Sequence, residues 1–375
     1  MEAPPTRPRY RRHWSISPRT RYQLGECDAH VTAIRSSPMP PEAHRQQLSA
    51  AFRGAAMATT AIGGNLQSAD DIAETLESDH PITGEHHFAT EVRNAADALL
   101  MLVDEAAGDA PARVDSTLLL RVHGRIGTGL GEHLGATPGQ LRTGEARASY
   151  SAPRADDVPG LLDGLFGWLD REFPRAAPGG HFGDAVVRAA VTHVYLLWIR
   201  PFGDGNGRAA RALESYVLMR SGTPAIASQI LTCFYQETRN EYLRQLRLAT
   251  ADRSLTSFIS YAAEGLRDGL VATLGEVRRI QLESAWREFV YDRFDAHPQR
   301  KRTVLRRRRE LMLAFPLEGR LALEQAGLLN PEIAQRYGAL SERTLRRDLA
   351  FLARIGLVVE ADGRFFANTG ALRIL

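Results

Sequence analysis

Apolar residues recur at three- and four-residue spacing along most of the chain, and strand-like alternation is rare. The helical period is clearest over residues 158–169, 186–197, 208–219 and 255–281. β-branched or aromatic runs beside Gly or Pro occur only around 139–159 and at the extreme C-terminus. The pattern predicts a mainly α protein with little sheet. Two of the predicted helices, one closing the apolar run 189–199 and one opening at Ala209, are separated by Arg200-Pro201-Phe202-Gly203-Asp204-Gly205-Asn206-Gly207-Arg208.

This interhelical loop carries the chain's most specific chemistry. Gly203, Gly205 and Gly207 let backbone N–H groups turn inward, and the following helix adds the positive end of its dipole, together a nest for an anion such as phosphate. Arg208 and Arg211 lie three apart on that helix, so both guanidinium groups reach one side of a bound phosphate. Asp204 adds an oxygen ligand of the kind that a phosphate-bound Mg²⁺ takes. A tight turn with two solvated arginines is the competing reading. The combination of nest, carboxylate and paired arginines favours the phosphate site.

The loop resembles the signature of the Fic (filamentation induced by cyclic AMP) family, His-x-Phe-x-Asp/Glu-Gly-Asn-Gly-Arg-x-x-Arg, at every position but the first, where Arg200 stands. The resemblance extends over about residues 15 to 285. It implies a Fic-type helical bundle with a small β-hairpin flap, and transfer of AMP from ATP, with Mg²⁺, to hydroxyls of a target protein. Carried over by position, Phe202, Gly205, Asn206, Gly207, Arg208 and Arg211 hold the nucleotide, Asp204 the metal, and Arg200 occupies the catalytic position. Gly139–Thr143 and Ala152–Pro159 look like the flap segment, where the target chain docks by strand addition. Thr59-Thr60-Ala61-Ile62-Gly63-Gly64 resembles the family's inhibitory motif, Ser/Thr-x-x-x-Glu-Gly/Asn, with Gly63 in place of the Glu that restrains the second arginine, here Arg211. That change is expected to leave Arg211 free of its inhibitory partner. Gln229, Cys233 and Gln236 stand where relatives tend to carry His and Asn.

Arginine keeps its proton and cannot serve as a general base, so ordinary AMP transfer should be impaired. Three readings stay open: an AMP transferase whose His and Glu were replaced by drift or design, a nucleotide-sensing pseudoenzyme, and a repurposed enzyme in which Arg200 clamps another phosphate or carboxylate substrate. His193, two turns before Arg200, reads as a packed core histidine rather than a substitute base.

Charge redraws the C-terminal fifth. From Arg300 onward 15 Arg or Lys face 8 Asp or Glu, a local +7 in a chain of net +3, which leaves −4 upstream. Forty-six of the 47 basic residues are arginine, a bias that reflects base composition more than function. The basic segment reads as a winged helix-turn-helix. Asn330 opens a short helix, Ser341 caps a longer one ended by Gly356, and 357–366 forms strand, turn and strand. Arg343, Arg346 and Arg347 sit where a recognition helix meets DNA, and the runs 300–302 and 306–309 offer phosphate contacts. Docking of a protein or a second copy of the chain is the alternative use of such a module. The expected divisions are an N-terminal helical region (1–110), a Fic-like core (111–295) and the winged helix (300–375), with the boundary near Ala296-His297-Pro298. The chain shows no apolar signal region and no run of membrane-span length, and Cys27 and Cys233 fit a reduced cytoplasm, Cys233 as a small buried hydrophobe.

Overall fold

The computed structural model describes residues 8–64, 87–108, 113–146, 152–174, 181–297 and 302–373. The chain forms two compact units, Met1–Ser37 with Pro41–Gly275, and Pro38–Pro40 with Glu276–Leu375.

In the first unit, α1 (Pro18–Arg35), α2 (Pro41–Ile62), α3 (His87–Ala107), α4 (Ser116–Ile126) and α5 (Val158–Glu172) surround a pair of central helices, α6 (Phe182–Ile199) and α7 (Asn206–Arg220). α1 and α5 pack on α6, while α2, α3 and α4 pack on α7. Both central helices are buried on nearly every face; α6 accordingly reads as an apolar run, whereas α7 carries the buried charges Arg208, Arg211 and Glu214. α8 (Ala225–Ser228), α9 (Ile230–Glu237), α10 (Arg239–Ala251) and the first part of α11 (Thr256–Asp295) complete the unit. Local signals set the helix starts. Ser17 accepts from the Thr20 N–H ahead of Pro18, and Asp115 accepts from the Leu118 N–H. By length and apolarity α6 does meet the requirements of a membrane span, contrary to the sequence reading. It is 72% buried within the protein, as a central core helix is.

Around the expected flap, residues 147–151 lie outside the described ones. The described residues on either side form no strand, and a short 3₁₀ turn, Ala155–Asp157, leads directly into α5. The hairpin among the described residues belongs instead to the second unit.

The second unit contains the end of α11, α12 (Arg302–Ala314), α13 (Leu323–Ala326), α14 (Pro331–Gly338), α15 (Glu342–Arg354) and the antiparallel strands β1 (Val358–Ala361) and β2 (Arg364–Ala367). Asp362 and Gly363, both at positive φ, make the two-residue turn between the strands. Trp286, Phe289, Val290 and Phe294 of α11 join Leu311, Leu349, Leu352 and Val358 in its core. That apolar face is why the division falls inside α11, at Gly275, and not near residues 296–298. Of these, Pro298 lies outside the described residues. Asn330 caps α14 through the Ile333 N–H. Ser341 occupies the N-cap position of α15 without capping it, because its hydroxyl pairs with that of Thr344 at 3.2 Å.

The arginine run of α12 is mostly internal, a correction to its reading as a phosphate-contacting patch. The Nε atoms of Arg307 and Arg308 donate to the buried Asp348 carboxylate at 2.8 and 2.7 Å. Arg306 pairs with Glu310, and Arg309 lies over the Tyr291 ring. Arg300 lies outside the described residues, as does Lys301.

Candidate functional site

α6 ends because Arg200 turns into the left-handed region (φ 47°, ψ 68°), its N–H still bonded to Leu196 O. A non-glycine residue there costs about 1–2 kcal/mol, so neighbouring contacts must hold it. Arg142 supplies them. Its Nε donates to Arg200 O at 2.7 Å, its backbone N–H to Pro201 O at 2.9 Å, its Nη1 to Gly144 O at 2.8 Å and its Nη2 to Pro153 O. One guanidinium therefore ties the loop to both ends of the 145–152 stretch. The Arg200 side chain is half-buried, and its Nε is buried with no hydrogen-bond partner.

The next residues fold on themselves. Asn206 Oδ1 accepts from the Phe202 N–H at 2.9 Å, and its Nδ2 donates to Phe202 O at 2.8 Å. Phe202 is fully buried and stacks on His123 with centroids 3.6 Å apart and planes 3° from parallel. His123 Nδ1 accepts from the Gly139 N–H, so Nε2 carries the proton and donates to Asp204 O, each at 3.0 Å. Burial drives the His123 pKa down to about 4, which keeps this tautomer neutral. The side chains of Phe202 and Asn206 thus fix the shape of the loop.

Gly205 takes φ +75° and begins α7 with no side chain capping it. A Cβ here would also crowd His123 Nε2 at 3.1 Å. A Cβ at Gly207 would meet the Arg211 guanidinium at 3.2 Å, so glycine lets that side chain lie against the backbone. The first turn of α7 consequently presents uncapped N–H groups beside Arg208 and Arg211, an arrangement suited to an anion.

Both arginines already have protein partners. Arg208, 9% exposed, pairs with Glu91 of α3 at 2.8 Å and with Asp204 at 3.3 Å. Arg211, 3% exposed, donates to Thr59 Oγ1 at 2.8 Å, to Thr59 O at 2.9 Å and to the Tyr242 hydroxyl at 3.3 Å. Gly63 offers Arg211 no carboxylate, and the first residue of the same motif-like segment, Thr59, holds the guanidinium by neutral hydrogen bonds instead. Tyr242 bonds onward to His193 Nε2 at 2.9 Å, and His193 Nδ1 to Glu214 at 2.7 Å. His193 is fully buried in this network, as its sequence position suggested. A small gap of about 10 Å³ adjoins the arginines, lined by Thr59, Ala95, Leu99, Ile126 and Ala212.

Asp204 is exposed and is the one loop carboxylate facing solvent. No cluster of three or more His, Cys, Asp or Glu side chains able to hold a metal occurs among the described residues. This donor set fits a cation carried in largely by phosphate oxygens, not one caged by protein. Gln229 is buried and bonded to Ser215 and Ser228, and Gln236 leaves its Oε1 buried without a partner. Cys233 is half-buried, and burial lifts its thiol to about 11, which leaves it protonated and inert near neutral pH. Sequence reasoning missed His123, Glu91 and Tyr242 and gave Arg142 no role. His123 carried the one usable signal, a polar ring on the apolar face of a helix.

Residues 113–218 match the model of the Fic/DOC family. The chain is 30% identical over 225 residues to protein adenylyltransferase fic-1 of Caenorhabditis briggsae, covering 59% of this chain and 41% of that protein. It is 24% identical over 235 residues to protein adenylyltransferase Fic of Nematostella vectensis, covering 60% and 52%. The chain thus spans about half the length, or less, of these relatives. A Fic family protein of Desulfovibrio desulfuricans has the same fold over 96% of this chain and 98% of its own, with a TM-score of 0.57 at 19% identity. A solved portion of Fic-1 from C. elegans aligns over 69% and 73%, with a TM-score of 0.57 at 25% identity. Residues 113–218 thus resemble a Fic domain, in a helical fold shared with Fic family proteins of known structure.

Proposed function

We propose that the first unit binds the phosphates of a nucleoside triphosphate at the start of α7, and that its inherited reaction, transfer of AMP to a protein hydroxyl, is impaired by Arg200. The carrying observation is the uncapped α7 N-terminus flanked by two buried arginines three residues apart. Arg208 and Arg211 exchange Glu91 and Thr59 for phosphate oxygens, and the backbone N–H groups of Asn206 and Gly207 add donors. Bound Mg²⁺ would neutralise phosphate charge beside Asp204. The relatives named protein adenylyltransferase support ATP as the nucleotide. The target chain docks along the flap-like segments Gly139–Thr143 and Ala152–Pro159, which Arg142 ties to each other and to the loop.

At position 200 a neutral imidazole would take the proton of the attacking hydroxyl, a contribution of roughly 10²–10⁴-fold. Arginine withholds that step. A second reading has one observation in its favour. The unpartnered Nε of Arg200 is suited to a carboxylate or phosphate of a different substrate, in a repurposed site.

Transfer of label from α-labelled ATP with Mg²⁺ separates the readings. Arg200→His should label itself or added protein while the present chain does not. Adding Gly63→Glu to that variant should suppress the labelling, because the carboxylate competes for Arg211. An Arg200→His variant that binds nucleotide yet transfers nothing refutes impaired AMP transfer and leaves the repurposed site.

A further inference from the structure

α15 buries Leu345, Leu349 and Leu352 and turns a different set of residues outward. Arg343, Arg347, Ala350 and Arg354 are all exposed and follow one another at spacings of four, three and four, a single stripe on the helix. Arg346 and Ala353 are exposed beside it. Among the described residues neither Arg343 nor Arg347 makes an ion pair, whereas Arg346 pairs with Glu342 at 2.8 Å and Arg354 lies over the Phe351 ring.

The roll of the helix is fixed from beneath. Asp348 is fully buried, held by Arg307 and Arg308, and the Tyr337 hydroxyl of α14 donates to it at 3.1 Å. Turning α15 by one residue would break all three contacts and strand a buried charge. The outward stripe is thus built in. α14 precedes it across a short turn at Ala339–Ser341, and the β1–β2 hairpin follows with Arg364 exposed at the turn.

We infer that this face binds duplex DNA, with α15 entering the major groove and the β1–β2 turn lying against the backbone. From Arg343 to Arg354 the stripe runs about 16 Å, a span that fits along a groove about 12 Å wide. Ala350 and Ala353, mid-stripe, let the helix approach the base edges, while the arginines on either side reach phosphates or guanine. Charge complementarity favours a polyanion over an apolar partner, since the exposed stripe holds three arginines and no carboxylate. The narrow, deep major groove of duplex RNA would not admit the helix.

The test is fluorescence anisotropy of the full chain with a short mixed-sequence DNA duplex, between about 50 and 200 mM salt. Affinity should fall steeply with salt. The double variant Arg343→Ala/Arg347→Ala should bind at least about tenfold more weakly at low salt, with the log–log salt slope reduced by roughly 2. A charge-matched control, Arg45→Ala/Arg244→Ala, should bind as the parent does, and a duplex RNA of the same sequence should bind less well. Equal losses in both double variants, or no salt-dependent binding, would overturn the inference. So would a dimer in sedimentation that the α15 variant abolishes in the absence of any DNA binding.

Discussion

His123 pins the loop of the candidate site, and its protonation should unpin it. The imidazole is fully buried, with both nitrogens committed and its face against Phe202. Burial is the main reason its pKa lies near 4, and the charge of Arg208 pushes the same way, while the hydrogen bond to Asp204 O opposes them. In the unfolded chain the same ring titrates near 6.5. The unfolded state therefore binds the proton first as pH falls. The contribution of His123 is fully present above pH 6.5 and drains away toward pH 4. A displacement from 6.5 to about 4, at 1.36 kcal/mol per unit, totals about 3 kcal/mol, of which roughly 2.5 is lost by pH 4.5. His123→Phe keeps the stacking and removes the titration. It also leaves Gly139 N–H and Asp204 O without partners, at a cost of about 1–3 kcal/mol for each unpaired group at pH 7.5. Denaturant unfolding across pH 7.5 to 4.5, with amide exchange read on peptides from 113–218, compares the two proteins. The parent should lose about 2.5 kcal/mol more than the variant over that range. Parallel pH dependence in the two would refute His123 as the titrating latch.

Other perturbations probe the same contacts. Arg208→Ala and Arg211→Ala should each weaken Mg²⁺-nucleotide binding by about 1.5–3 kcal/mol in calorimetry, the scale for hydrogen bonds to charged groups. Glu91→Gln should strengthen binding by up to about tenfold, because Arg208 then gives up one carboxylate fewer, keeping only its longer pair with Asp204. Unchanged affinity would show that Glu91 does not compete. In the second unit, Asp348→Asn should destabilise by about 3–5 kcal/mol in thermal unfolding, since Arg307 and Arg308 lose their buried counter-charge.

The central helices and the loop between them were legible because their signals are local: a run of apolar positions, glycines, and a capless start. The partners of that loop were not. His123 meets Asp204 across 81 positions, Glu91 meets Arg208 across 117, and Thr59 meets Arg211 across 152, distances over which no pattern in one sequence speaks. The inhibitory-like segment shows the limit most directly. The missing carboxylate at Gly63 was visible, whereas the compensating bonds from Thr59 depend on how α2 lies on α7. The arginines at 306–309 read as one exposed patch for a related reason. Only the fold discloses that Asp348 sits among them. The unit boundary was misplaced because the helical period continues through Gly275, and the apolar positions after it serve a different core.

Arg208 and Arg211 are shared property. Any anion that binds at α7 must take donors away from α2 and α3, and linkage makes the exchange symmetrical. Whatever factor the Glu91 and Thr59 contacts subtract from the anion's affinity, the bound anion subtracts from the hold of those helices on the centre of the unit. Occupancy of the candidate site would therefore be reported at α2 and α3, as a loosening of the helices that hold its two arginines. The same two helices would then set the concentration at which the candidate site fills, so a change along them that weakens their grip would act as a gain control on it.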